Sequence, residues 1–520
     1  MGSLMRGGRK LLPILATLIA LLMIGPIQSV DALGVEGINL DDIQTLADIL
    51  EVALTTDKGI KAAGYQLEAA QAQLEQAKAG LWPQIQLGAE GKVSNAPELG
   101  MAKDTFRTVS GRVTWAQALK PNNDLQAGLK ITELGIEGAT IAQQQAVVEL
   151  VYRVQSAYMA LVEAVNGHRL AEASVAIAQR KVEIASEKLA AGVATPLDVL
   201  TAQNELLQAQ TMLNAANGGV DLAVLGLLQI IGLDHNFLAN GRQWAENLVA
   251  TQDVTPVRWP VEYEEAVNYA LTHRYDLLAT ENQVEMARIN VESLAGKRDW
   301  KLSLAGTKQA EEVTLMGSID TDWMAVASVS ANKQWGEPSP SPMGLMDLLI
   351  PEIINKHGSE VIKDYLPDES RDNQDPWSIG LELSYTLGDG GAKEARIREA
   401  DAEYQRAKLL YEGLVDSVSI AVFAAQEKVT QTWAAYQLAQ SYLEQARGNL
   451  ERMELLFELG SVTETELLDV DLMVRQAENE VQATGLTYEL AKTELAMAIG
   501  VAAEKLVHAV AIGDWALVLN

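Results

Sequence analysis

The chain contains no cysteine. Disulfides, thiolate metal sites, a cysteine nucleophile and a lipid-modified N-terminal cysteine are therefore excluded, and stability has to come from packing. Proline is absent from residues 122–195, 197–255 and 377–520, whereas six of the fourteen prolines fall within 338–376. Because proline breaks helix interiors, three long stretches are free to be helical and one region is not. His168, His235, His273, His357 and His508 are scattered without ligand spacing, so no metal site is expected. There is no phosphate-binding loop, since Gly388-Asp389-Gly390-Gly391 reads as a strand-to-helix turn. No nucleophile–base set is discernible, and neither an enzyme nor a cofactor is expected.

Long apolar runs are missing after residue 32. Arg6, Arg9 and Lys10 precede an apolar run from Leu11 to Ile24, and Val30-Asp31-Ala32 suits cleavage. Residues 1–32 thus read as an export signal, too short in its apolar part for a comfortable membrane span. Basic residues are scarce as well. Losing Arg6, Arg9, Lys10 and Asp31 moves the net charge from −30 to −32. So acidic a chain is a poor binder of nucleic acid or anionic lipid.

What the sequence does have is a duplication. Residues 192–233 align without a gap with 460–501, at an offset of 268, with eleven identities that include Gly192/Gly460, Thr195/Thr463, Leu200/Leu468, Gln208/Gln476 and Gly232/Gly500. At an offset of 217, Ala53-Leu54-Thr55 recurs as Ala270-Leu271-Thr272. A repeat unit of this length sets the architecture. Residues 33–232 form the first repeat: a helix over 41–80, strands over 84–92 and 106–119, a helix over about 125–190 and another over 196–231. Residues 233–260 link it to the second repeat, 261–501, with helix 262–297, strands 301–307 and 378–387, and helices 392–458 and 464–498. The second repeat carries an inserted loop, 310–376, with short helices around 344–364, and 502–520 is a C-terminal tail.

The helix over 125–190 would reach on the order of 100 Å. Val147, Val151, Val154, Tyr158, Leu161 and Val165 step 4-3-4-3-4 along it, a coiled-coil seam. Two shorter helices stacked end to end can pack antiparallel along each long one. In the strand 378–387, Ile379, Leu381, Leu383, Tyr385 and Leu387 alternate with Gly380, Glu382, Ser384 and Thr386. That is the length of a membrane β-strand. Val113, Trp115 and Leu119 give the first repeat the same apolar side, and Trp82, Trp300 and Trp377 stand at strand ends, where interfacial aromatics sit. Four strands cannot close a barrel alone, so strands are expected to be pooled between chains.

The hairpin tips carry a motif. Gly192 and Gly460 close the outgoing helices, Thr195 and Thr463 are N-caps, and Asp198 and Glu466 complete capping boxes. Asp469 lies one turn after Glu466 on the same face. This Gly-x-x-Thr-x-x-Asp/Glu-x-Leu pattern follows a ~65-residue helix and precedes Gln-Ala and a terminal Ile-Gly-Leu/Val. With Ala79-Gly80-Leu81-Trp82-Pro83-Gln84-Ile85, it resembles the TolC-type outer-membrane efflux family, the outer membrane factors. The resemblance covers nearly all of 41–501. It implies a mainly α fold with a β-barrel portion: duplicated antiparallel coiled-coil helices as an α-barrel tunnel, and four transmembrane strands per chain, closed as a twelve-stranded barrel in a homotrimer. It implies an outer-membrane location with a periplasmic extension, in contact with outer-membrane lipid. It also implies a passive exit duct for a tripartite efflux or type I secretion system, working with a periplasmic adaptor and an inner-membrane transporter.

By position, Glu466 and Asp469 match the family's acidic ring at the periplasmic aperture. Gly192, Thr195, Leu197, Asp198, Gly460, Val462 and Thr463 fall at the tips, where the adaptor docks. Leu197 and Asp198 match positions that help latch the closed pore. The basic partner of that latch falls on Val462, which leaves closure to packing or capping contacts. The rival reading is an exported coiled-coil rod or envelope tether with a small β head; it does not explain why strands interrupt both repeats at equivalent places.

Overall fold

The computed structural model of the chain describes residues 43–95, 105–233, 238–250, 255–310, 312–335, 377–515 and 518. The export signal and the short helices read around 344–364 lie outside the described residues. Residues from Gln44 onward belong to one unit. Its first repeat runs α1 (Leu46–Thr56), α2 (Lys58–Ala79), β1 (Gln84–Asn95), β2 (Thr105–Ala118), α3 (Asn123–Ala190) and α4 (Pro196–Ile230). After α5 (Leu238–Ala250) the second runs α6 (Tyr263–His273), α7 (Tyr275–Ala295), β3 (Trp300–Ala310), β4 (Val313–Asp320), β5 (Met324–Trp335), β6 (Trp377–Tyr385), α8 (Ala392–Glu458) and α9 (Glu464–Ile499), followed by α10 (Ala503–Ile512).

The long helices α3 and α8 have 68 and 67 residues, each on the order of 100 Å. Both α2 and α4 pack along α3, and both α7 and α9 along α8; α3 also meets α7 and α9, which joins the repeats. The seam read from the sequence is the heart of the core. Val151, Val154, Tyr158, Leu161 and Val165 are at most 2% exposed, while Val147 is half-buried. Leu227 in α4 and Ile231 just after it, Leu495 and Ile499 of α9 and Leu506 of α10 are buried with them.

Each repeat opens on a broken helix where the sequence read a continuous one. The breaks fall at Asp57 and Arg274, equivalent positions with ψ of 128° and 125°. Asp57 caps α2 by accepting from the Ile60 N–H at 2.9 Å, and Thr56 turns its hydroxyl to the Ile231 carbonyl at 2.8 Å. The repeated Ile-Gly that ends each hairpin sits against these breaks. Gly232 (φ +73°) lies beside Thr56, and Gly500 (φ +83°) lies against the Arg274 backbone, where a Cβ would come within 2.6 Å of the Arg274 Cα. Gly500→Ala combines a left-handed backbone with a backbone clash. It is expected to lower stability by about 2–3 kcal/mol, read as an earlier denaturant midpoint in detergent.

The strands form one antiparallel sheet in the order β1-β2-β5-β4-β3-β6. The mixed class of helices and sheet stands; the described residues place six strands in the sheet where the sequence reading had four per chain. The extra pair, β4 and β5, occupies 313–335 of what the sequence read as an inserted loop. The loop reading failed for a physical reason. Gly317, Ala325, Ala327 and Ala331 make the apolar alternation faint, and the neighbouring prolines favoured a loop. Their connecting turn is held by Asp320, whose carboxylate accepts from the N–H groups of Asp322 (2.9 Å) and Met324 (3.0 Å).

Among the described residues, α4 and α8 each contain a stretch apolar enough, at mean hydropathy 1.2 and 1.3, to match a membrane span, which the sequence reading found nowhere after the export signal. Only 22% and 11% of those stretches are buried. Leu207, Met212 and Leu222 on α4 and Leu409, Ile420 and Leu438 on α8 point outward, exposed.

Candidate functional site

The far end of the helices, about 100 Å from the sheet, is built from two equivalent turns. At each, a glycine in the left-handed region ends the outgoing helix, Gly192 at φ +75° and Gly460 at φ +72°. The following N–H reaches back to the helix: Val193 to the Lys188 carbonyl at 3.0 Å, Ser461 to the Leu456 carbonyl at 2.8 Å. This is a Schellman closure. A Cβ on either glycine would meet nothing within 4 Å, so backbone conformation, not space, asks for glycine. The returning helices are capped as read. Asp198 accepts from the Thr195 N–H (2.7 Å) and hydroxyl (2.9 Å), and Glu466 from the Thr463 N–H and hydroxyl (2.8 Å each). Those hydrogen bonds hold both carboxyls below their ordinary range. Leu197 is 68% exposed and Val462 half-buried.

Between the two hairpins lies a cluster of ion pairs that the sequence reading did not contain. Arg180 of α3 holds Glu464, the first residue of α9, side-on: Nε to Oε1 at 2.7 Å and Nη2 to Oε2 at 3.1 Å. Its Nη1 takes Glu183 at 3.0 Å. The neighbouring Lys181 places Nζ 2.5 Å from Asp469 of α9 and 3.4 Å from Glu205 of α4. Lys181 thus ties three helices together, and its side chain is 15% exposed. The Arg180 guanidinium holds the Glu464 carboxyl below its usual range. Burial pulls the Lys181 ammonium down, but the hydrogen bond and charge of Asp469, with Glu205, outweigh it and hold it above its ordinary value.

Val462 supplies no cation, but α3 of the other hairpin does, from the opposite side of the contact. The signal was present: Arg180-Lys181 is a basic pair on α3 facing an α9 whose first two turns carry Glu464, Glu466 and Asp469. Periodicity within one helix could not reveal it, because the partners lie 284 and 288 residues away. The acidic pair is also split in role. Glu466 is exposed and bound up in its own cap, whereas Asp469 is turned to Lys181. Among the described residues no group of His, Asp and Glu gathers to hold a metal.

The chain thus carries a half-apolar sheet at one end of paired ~100 Å helical hairpins and clamped tips at the other. A model of the outer membrane efflux protein family matches residues 49–233, and the chain resembles that TolC-type family in sequence over this span and in fold beyond it. Protein CyaE of Bordetella pertussis is 27% identical over 195 residues, covering 38% of this chain and 41% of that one. The match thus spans less than half of the relative's length. The Campylobacter jejuni CmeC outer membrane channel superposes with a TM-score of 0.63 at 13% identity, over 91% of this chain and 90% of that one. The outer membrane protein VceC of Vibrio cholerae gives 0.58 at 17%, over 88% and 96%.

Proposed function

We propose that three copies of this chain form a passive exit duct: a barrel in the outer membrane continued by an α-helical tunnel into the periplasm, serving a tripartite efflux or type I secretion system. The observation that carries this reading is the sheet. Its two long edges are unpaired, one face is apolar and the other polar, and it cannot remain open in lipid. The outward apolar residues of α4 and α8 support the same assembly, because sister helices would cover them. Energy would come from an inner-membrane transporter, and a periplasmic adaptor would grip the tips around Gly192 and Gly460, beside exposed Val193, Leu197 and Leu459. The chain expressed with its leader should fractionate with the outer membrane and need detergent for extraction. Recovery in the soluble periplasmic fraction would favour the rod reading.

In the closed duct, Arg180 and Lys181 would act as the latch between the hairpins, and opening would slide the α8–α9 hairpin past α3. Glu466 would face the aperture of the ring and favour cations. Glu466→Gln keeps a capping side chain at this position, so the tip stays folded while cation-over-anion selectivity in planar bilayers falls. Unchanged selectivity removes Glu466 from the ring. Asp469→Asn should lower selectivity and also loosen the latch.

A further inference from the structure

The inserted hairpin is in register with the rest of the sheet on both faces. One transverse row reads Ile85, Trp115, Ala327, Gly317, Gly306 and Ile379, apolar across all six strands. The adjacent row on the opposite face reads Gln86, Thr114, Ser328, Met316, Thr307 and Ser378, with one apolar member. Paired residues share a face, so β4 and β5 continue one apolar and one polar surface instead of capping either. Their turn at 321–323 lies at the helix-joined end, where the Leu119 N–H donates to the Trp323 carbonyl at 2.8 Å and the Thr321 N–H to the Leu302 carbonyl at 2.9 Å.

From this register we infer that the membrane wall of the assembly is an eighteen-stranded cylinder, six strands from each of three copies, with β6 of one copy paired to β1 of the next. The inference rests on the trimer proposed above. The edges suit this seam. β1 leaves the helix-joined end and β6 returns to it, so a β6-to-β1 contact continues the antiparallel alternation head to tail and closes as a ring. All nine residues of β6 are exposed in the single chain, and Ile379, Leu381 and Leu383 are each at least 67% exposed on the apolar face. At ~4.8 Å between strands and ~40° tilt, eighteen strands give a cylinder roughly 36 Å across, against roughly 24 Å for twelve. The outer-membrane passage is then too wide to select by size, and selection falls to the tips.

The test uses the purified trimer in nanodiscs and a variant lacking residues 312–335, which joins residue 311 directly to residue 336. Electron microscopy should show a barrel about 36 Å wide for the full chain and about 24 Å for the deletion. Because the chain has no cysteine, a second measurement stands if the deletion fails to fold. A fluorophore at Leu315→Cys should be quenched by nitroxide lipids, and one at Ser330→Cys by aqueous quencher only. A full-chain trimer about 24 Å wide, or both fluorophores quenched from water alone, overturns the eighteen-stranded wall and leaves the trimer standing. A particle that is not a trimer overturns the duct reading itself.

Discussion

Replacing Lys181 with alanine should hold the reconstituted channel open. The side chain ties α3 to Asp469 of α9 and Glu205 of α4 while only 15% exposed, so its ion pairs belong at the upper end of the surface range, about 1 kcal/mol per chain. If three tips move together, about 3 kcal/mol is lost from the closed state, a shift on the order of 100-fold toward open. Arg180→Ala, which frees Glu464, should act in the same direction, and the double variant should exceed either. Open probability in planar bilayers checks this; a double variant as closed as the parent removes the clamp from gating. The pH dependence follows from the shifts. Glu464 is lowered from 4.5, so its contribution is present above that value and is lost as pH falls through the lower folded value. Lys181 is raised from 10.5, so its contribution is present below that value and is lost as pH rises through the higher folded one. Gating should therefore be flat from pH ~5 to ~10 and loosen only outside that window.

The second large effect is expected at Lys492, a fully buried lysine in α9. Its Nζ lies 2.7 Å from Glu489 and 3.3 Å from the Val257 carbonyl, and 5.0 and 5.1 Å from the ring centroids of Tyr488 and Trp515. One ammonium thus fastens the inter-repeat linker and the C-terminal tail to α9. The Tyr488 hydroxyl adds to the linker contact by accepting from the Trp259 N–H at 3.0 Å. Burial pushes the Glu489 carboxyl up and the Lys492 ammonium down, each opposed by the other's charge. Lys492→Ala leaves Glu489 buried without its cation, at a cost of about 3–5 kcal/mol, whereas Lys492→Met with Glu489→Gln should cost far less. Limited proteolysis reads it: the single variant should lose its tail much faster than the double. Equal rates would mean that the pair does not hold the tail.

The helical plan was legible because it is carried by local signals. The seam from Val147 to Val165, the glycine–threonine tips and the proline-free stretches each name their own structure. The breaks at Asp57 and Arg274 were not, because Thr55-Thr56 and Thr272-His273 are weak helix residues, not helix stops; the terminal glycines of α4 and α9 pack beside the breaks from far along the chain. The hairpin at 313–335 is faint in the sequence because Gly317, Ala325, Ala327 and Ala331 interrupt its apolar alternation, and its place becomes plain only in register with Val113 and Ile379. At the tips, local capping was readable from Thr195 and Thr463. The clamp was not, since Arg180 and Lys181 acquire meaning only when the second repeat is laid against the first. The acidic aperture was read by position alone, and Asp469 shows what position omits: a lysine on the facing helix.

The most direct test is to add the purified mature chain, in detergent, to a planar lipid bilayer. A duct closed by its tips should insert in uniform steps of small, cation-preferring conductance, each step from a particle of three chains by native mass spectrometry. A chain that stays monomeric without detergent and leaves the bilayer silent would contradict the account.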